Sequence, residues 1–246
     1  MSAEMRSDTI SRCRQDFVTE RIVCDMELLV TGGNGFIGRR ICKRAVRDGH
    51  EVTSVARSGP PESSERGPWA TDVDWIEGDV FAPQEWRDAL EGVDTVVHSI
   101  GTLSESPTEG VTFERLNGDS AILTALEAER AGVDRFVYIS SSATPPLVSD
   151  RYLTARRRAE DAITDLDMEI VVPRFGPVYG PKQPHFPPIV NKLVSAVGRF
   201  ERIAARMGED RPFSVDQAAT ATYQLAVDEQ TPTGTVRAQR LAALAD

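Results

Sequence analysis

The chain has 246 residues, enough for one well-packed α/β domain with little left for a second. A formal net charge of −10 argues against non-specific binding to nucleic acid, which attracts basic surfaces. Hydrophobic residues make up 40% of the chain, an ordinary share for a globular protein, and no apolar run approaches the roughly 20 residues of a spanning helix.

Residues 1–25 are polar and mixed in charge, with no apolar segment of the secretory kind, and are set apart as an N-terminal tail. From residue 26 to 246 the chain is expected to form a single domain. Its expected strands are Glu27–Val30, Glu51–Ala56, Val73–Glu77, Thr95–His98, Phe136–Ser140 and Glu169–Val172, short and rich in valine and isoleucine. The helices expected between them are Phe36–Asp48, Pro83–Glu91, Phe113–Ala131 and Asp150–Leu166, while Ser58–Thr71, heavy in Gly, Pro and Ser, is a surface loop. After about residue 175 the alternation loosens. Gly176–Pro188 carries five prolines and reads as loop, and Ile189–Arg206 and Val215–Asp228 read as helices of a small cap. Six strands with interposed helices predict an α/β fold, a doubly wound parallel sheet of the Rossmann type with order 3-2-1-4-5-6 and a C-terminal cap.

The first strand runs straight into Thr31-Gly32-Gly33-Asn34-Gly35-Phe36-Ile37-Gly38 and the helix, whose first turn carries Arg39 and Arg40 as expected further cations for a bound phosphate. Gly32, Gly35 and Gly38 stand in the spacing G-x-x-G-x-x-G. The three permit a tight turn, a close approach of pyrophosphate to backbone and close packing of helix on strand, and the helix start offers N–H groups to phosphate. Strand, turn and helix in that order predict dinucleotide binding.

The second strand ends in Val55-Ala56-Arg57-Ser58, without the carboxylate that holds the ribose hydroxyls of NAD. A guanidinium beside a hydroxyl suits a 2′-phosphate, so NADP(H) is expected at Arg57 and Ser58, with NAD(H) the alternative. Asp79 and Val80, after the third strand, are placed at the adenine edge. His98, Ser99 and Gly101, at the end of the fourth, fall where the ligand crosses the sheet; His98 reads either as a contact or as a packed strand residue. Pro173 and Phe175, by the sixth strand, fall near the nicotinamide end.

Together these segments resemble the short-chain dehydrogenase/reductase superfamily in its extended and atypical branches. The matching pieces are Thr31–Gly38, Gly78-Asp79-Val80, Val96–Gly101, Phe136–Ser142 and Arg174–Pro181. Within the superfamily, Gly32–Cys42, Ser54–Gly59 and Val96–Gly101 look similar to the complex I accessory subunit and its relatives associated with ubiquinone biosynthesis. The resemblance implies a catalytic serine, tyrosine and lysine, which here fall on Ser142, Tyr152 and Arg156, with Ser140, Tyr152 and Arg156 also against the cofactor. Arginine in the lysine position is a departure, since it forks its donors and relays no proton. Tyr152 and Arg156 remain i and i+4 on one helix face.

Two functions are therefore open. One is an oxidoreductase acting on a carbonyl or quinone-like, apolar small molecule. The other is a non-catalytic NADP(H)-binding protein of a respiratory or quinone-synthesis complex at a membrane. A nucleotide-sugar epimerase or dehydratase shares the early motifs, but the stretch after Arg174 is short for gripping a sugar nucleotide. No metal site, nucleic-acid partner or transmembrane segment is expected.

Cys13, Cys24 and Cys42 show neither metal-ligand spacing nor a disulfide framework, which fits a reducing cytoplasm or the inner face of a membrane, and Cys42 reads as a buried thiol in the first helix. Among the 28 basic residues only Lys43, Lys182 and Lys192 are lysines. Scarce lysine with excess carboxylate points either to a salt-rich cytoplasm or to a GC-rich genome. Thermal unfolding followed across salt concentrations separates the two: collapse in low-salt buffer marks salt adaptation, and indifference to salt rejects it.

Overall fold

Period-two alternation sends Leu28 and Val30 of strand β3 (Glu27–Thr31) to one face of a sheet and Leu29 to the other, so both faces demand a covering layer. The computed structural model of the chain describes residues 13–15, 22–63, 66–145, 148–228, 230–231 and 233–245. In it β3 pairs with β4 (Glu51–Ala56) on one side and β6 (Thr95–His98) on the other, both parallel. β4 carries β5 (Val73–Glu77) to one edge. Beyond β6 lie β7 (Arg135–Tyr138), β9 (Glu169–Phe175) and β12 (Gly234–Val236), all parallel. The order β5-β4-β3-β6-β7-β9-β12 contains the predicted 3-2-1-4-5-6 arrangement and adds a seventh strand at the β9 edge.

Helices α1 (Gly38–Arg47), α6 (Val215–Val227) and α7 (Ala238–Ala245) cover the face of Leu28 and Val30. There Ile41, Cys42, Ala45, Ala218 and Leu241 are buried with them. Helices α2 (Ser120–Ala131) and α3 (Arg151–Ile163) cover the opposite face, where Ala121, Ala125, Ala159 and Ile163 pack on Leu29, Val96 and Phe136. Small residues on these helices let them lie close to the strands. α6 is started by a capping box: the Ser214 hydroxyl accepts from the Gln217 N–H, and the Gln217 side chain accepts from the Ser214 N–H. Cys42 is fully buried, and burial pushes its thiol up to about 12, which leaves it inert.

Several elements differ from expectation. Pro83–Glu91 forms two short 3₁₀ turns in place of a helix, because Trp86 breaks the helical backbone to bury its ring and donate to the Val80 carbonyl at 3.3 Å. The expected helix Ile189–Arg206 is two, α4 (Pro188–Gly198) and α5 (Glu201–Arg206). They part just beyond Gly198, where a Cβ would lie 2.3 Å from the Tyr179 ring. The expected strand Phe136–Ser140 divides into β7 and β8 (Ser140–Ser141), the latter beside β9. Within residues set apart as a tail, β1 (Cys13–Gln15) and β2 (Ile22–Cys24) pair antiparallel. In the cap, β10 (Val178–Tyr179) runs parallel to β11 (Phe213–Ser214). Among the described residues no helix is long and apolar enough to cross a membrane.

His98, at the end of β6, is fully buried between Thr31 Oγ1 at 2.8 Å and Ser120 Oγ at 3.0 Å. Burial, helped by the nearby Arg156 cation, lowers its pKa from 6.5 to about 3, so the imidazole is neutral in the fold. A folded-state pKa below the unfolded one means that full stability is present above the unfolded value and is lost as pH falls toward the folded one. Urea unfolding should therefore show a loss of about 2 kcal/mol between pH 6.5 and 5 from this group alone, and His98→Gln should flatten that slope.

Candidate active site in the cleft at the carboxyl ends of the strands

β3 and β6 connect to opposite sides of the sheet, and at that switch point the carboxyl ends open into a cleft of about 910 Å³. Its floor is the glycine loop. Gly32 has φ +75°, and a Cβ there would press on the Ser99 backbone at 3.2 Å. A Cβ at Gly38 would lie 2.3 Å from the Gly32 carbonyl, so α1 can begin directly on the loop only without one. The Gly35 N–H donates to the Gly32 carbonyl at 2.8 Å and tightens the turn. The first turn of α1 carries no acidic side chain, so its positive end faces the cleft unopposed. This cradle fits the pyrophosphate of a dinucleotide.

At the ribose end Arg57 and Ser58 border the cleft, and the wall contributed by β4 and its exit (Val55, Ala56, Arg57, Ser58) holds no carboxylate. Asn34 donates to Ser58 Oγ at 2.8 Å. Arg39 donates to both the Asn34 carbonyl and its Oδ1 at 2.9 Å. Arg39 thus braces the loop from behind. Asp79 accepts the Phe81 N–H at 3.1 Å, and the Arg115 guanidinium stacks 3.7 Å above the Phe81 ring. Phe81 and Arg115 line the cleft and had no place in the sequence reading.

At the other end Tyr152 sits in the first turn of α3, buried, its ring edge-on to Phe113 at 5.8 Å. Arg156, one turn on, lies 5.0 Å from the Tyr152 ring centroid. Its Nη1 donates to the Ile139 carbonyl at 2.7 Å and to Tyr138 Oη at 3.4 Å, and its Nη2 donates to Asn117 Oδ1 at 3.2 Å. Nε is buried without a partner. Gly101 makes room for this cation: a Cβ there would lie 2.6 Å from Nη2 and 2.7 Å from Asn117 Oδ1. Asn117 lies in a π-helical turn, Glu114–Asp119, that leads into α2. Its amide also clasps Thr102, accepting from the Thr102 N–H at 2.9 Å and donating to the carbonyl at 3.0 Å. The Tyr138 hydroxyl donates to the Asn117 carbonyl at 2.5 Å, and burial pushes that phenol up to about 12 despite the Arg156 charge. Sequence reading missed Asn117, although Asn117-Gly118 inside a helical stretch is a visible conflict with helix propensity.

The serines have separate partners. Ser140 donates to Glu160 at 2.5 Å, and Glu160 is itself held by Arg157 and Arg174. Ser141 donates to the Ala143 carbonyl at 2.8 Å. Among the described residues the Ser142 hydroxyl reaches only Asp210 Oδ1, at 3.4 Å, the longest such contact of the three serines' first partners. The cleft brings together Gly32, Asn34, Gly35, Phe36, Ile37, Arg57, Ser58, Asp79, Val80, Ser99, Gly101, Ser140, Ser142, Tyr152, Arg156 and Phe175. Thr31, Gly33, Gly38, Arg39, His98 and Pro173 do not line it. Thr31 and His98 bond each other inside the sheet, a Cβ on Gly33 would meet Ser54 Oγ at 2.1 Å, and Pro173 is a buried strand residue paired to Val236. His185 of the proline-rich loop and Met207 at the end of α5 complete the far wall.

Residues 28–207 match the model of the NAD dependent epimerase/dehydratase family. Among curated proteins, MIOREX complex component 2 of Saccharomyces cerevisiae is 34% identical, with 54% of this chain and 65% of that protein covered. The ceramide reductase of Caulobacter vibrioides is 30% identical, with 62% and 46% covered. The chain thus spans about half to two thirds of the length of these relatives. Among solved structures, the Bordetella bronchiseptica enzyme WbmG in complex with NAD superposes with a TM-score of 0.63 at 21% identity, covering 87% of this chain and 73% of that one, a likeness of fold. Motif, sheet order and family match agree: the chain belongs to the NAD dependent epimerase/dehydratase family, within the extended short-chain dehydrogenases/reductases with their NAD(P)-binding Rossmann fold.

Proposed function

We propose that the protein is an NADP(H)-dependent oxidoreductase that reduces a carbonyl or quinone-like group on an apolar small molecule. The observation that carries this reading is the pair Tyr152 and Arg156 on the cleft wall: a buried phenol with a fixed cation 5.0 Å from its ring. The glycine cradle and the start of α1 would hold the pyrophosphate, and Arg57 with Ser58 the 2′-phosphate; when bound, the nicotinamide supplies the hydride. Tyr152 gives its proton to the oxygen that gains charge, and Ser142 donates a hydrogen bond to the same oxygen. Arg156, fixed by the Ile139 carbonyl and Asn117, stabilises by its positive charge the tyrosinate left behind. Without a lysine relay, the phenol regains its proton through water or a neighbouring hydroxyl. Similarity to a protein named as a ceramide reductase supports both the reaction class and an apolar substrate.

A second reading rests on the same arginine. With both terminal nitrogens committed to the protein, the site also suits a dinucleotide kept as a structural ligand in an assembly, and the Saccharomyces relative is named as a complex component. Bound only by the native state, such a ligand stabilises it by mass action.

Two measurements test these readings. Calorimetric titration should give micromolar or tighter NADPH and weaker NADH, with Arg57→Ala costing about tenfold or more in NADPH affinity and leaving NADH unchanged; retained preference in the variant removes the role of Arg57. Against a panel of aliphatic ketones and quinones, Tyr152→Phe should lower turnover about a hundredfold while NADPH affinity stays the same. Tight NADPH with no turnover by the native chain selects the second reading.

A further inference from the structure

Helix α4 keeps Val194 and Val197 half-buried but leaves its two largest apolar side chains in solvent. Asn191, Ser195 and Gly198, at i, i+4 and i+7, face the protein: Asn191 accepts from the Gly180 N–H at 3.1 Å and donates to its carbonyl at 2.8 Å, and Gly198 sits on the Tyr179 ring. The opposite stripe presents Ile189, 78% exposed, and Leu193, 67% exposed. Phe200, Ile203 and Met207 continue it at i, i+3 and i+7 through α5, all exposed, while Ala204 is the buried contact. A surface helix of a water-soluble domain has the reverse pattern. Exposed apolar side chains gathered on two successive helices mark an interaction surface.

The charge around the stripe identifies its partner. Residues 182–207 contain Lys182, Lys192, Arg199, Arg202 and Arg206 and a single carboxylate, Glu201, in a chain of net charge −10. Glu201 is in turn paired with Arg211 at 2.8 Å. Arg199 at the end of α4 and Arg202 and Arg206, four apart on one face of α5, are all exposed, in the same stretch as the exposed Phe200, Ile203 and Met207. Apolar residues flanked by long basic side chains that reach past them suit the headgroup boundary of a bilayer. Phe186 and Met207 also line the cleft, so the stripe runs to its mouth.

We propose that α4 and α5 dock the protein on an anionic lipid bilayer, with Ile189, Leu193, Phe200, Ile203 and Met207 entering the interface and Arg199, Arg202, Arg206 and Lys192 meeting the headgroups. Resting on the oxidoreductase reading, the docked cleft mouth takes its apolar substrate from the lipid.

Flotation of the whole chain with phosphatidylcholine vesicles, with and without phosphatidylglycerol, tests the docking itself. Anionic vesicles should carry about tenfold more protein than neutral ones, and added salt should release it. Ile189→Glu with Leu193→Glu should cut capture about tenfold or more, and Arg202→Gln with Arg206→Gln about fivefold per arginine, each with circular dichroism and NADPH affinity unchanged. The idea is overturned if folded native chain stays in the soluble fraction, if the variants float as well as the parent, or if the native chain is a dimer that the glutamate variant splits without vesicle capture. Loss of NADPH binding in the native chain counts against the oxidoreductase reading and leaves the docking test intact.

Discussion

One buried guanidinium organises the reactive end of the cleft. Arg156 joins three elements: the exit of β7 through the Ile139 carbonyl, the π-helical turn through Asn117, and the first turn of α3 through the Tyr152 ring. A buried charge is costly unless it is hydrogen-bonded, and here the terminal nitrogens find a backbone carbonyl, an amide oxygen and a phenol, while Nε has none. Each partner is constrained in return. The Ile139 carbonyl accepts from Nη1, Asn117 holds Thr102 by its backbone, and Gly101 stays without a side chain because a Cβ would fall on Nη2. Lysine, with a compact ammonium, would leave part of this network without donors.

A different limit, the absence of a Cβ, governs the phosphate end. Gly32 and Gly38 let β3, the loop and α1 approach within ordinary contact of one another, so the helix start points into the cleft. Packing on the far side secures it: Ile41, Cys42 and Ala45 anchor α1 under the sheet, and Arg40 reaches Asp216 at 2.8 Å on α6. The two ends therefore meet opposite demands, one stripped of side chains to admit a ligand and one filled by a charge that shapes the wall.

The cap follows neither rule. Its two helices turn Asn191, Gly198 and Ala204 toward the protein and leave Ile189, Leu193, Phe200 and Ile203 exposed. The hydrophobic effect would favour the opposite rotation in an isolated soluble chain. That the tertiary contacts of Asn191 and Gly198 hold the helix this way is the physical basis for assigning it an interface.

Much of the fold was legible because it rests on local rules. Short runs rich in valine and isoleucine marked the six parallel strands, the glycine spacing marked the turn and helix start, and Cys42 read as buried from its helical position. Among the candidate site residues, Arg57, Ser58, Asp79, Ser142, Tyr152 and Arg156 all face one cleft, since each follows a strand end or opens a helix. Thr31, His98 and Pro173 stand equally near strand ends in sequence, yet their side chains point into the sheet, and only the direction of each Cβ decides that. Phe81 and Arg115 reach the cleft from the turn after β5 and from a π-helical turn, and Asn117 of that same π-helical turn holds Arg156 from behind, irregularities that periodicity does not encode. The sequence by itself determined the layered sheet and the phosphate cradle, because these depend on spacing along the chain. Tertiary structure alone decided which donors Arg156 keeps and which way the cap helices face, because both depend on contacts between segments far apart in sequence.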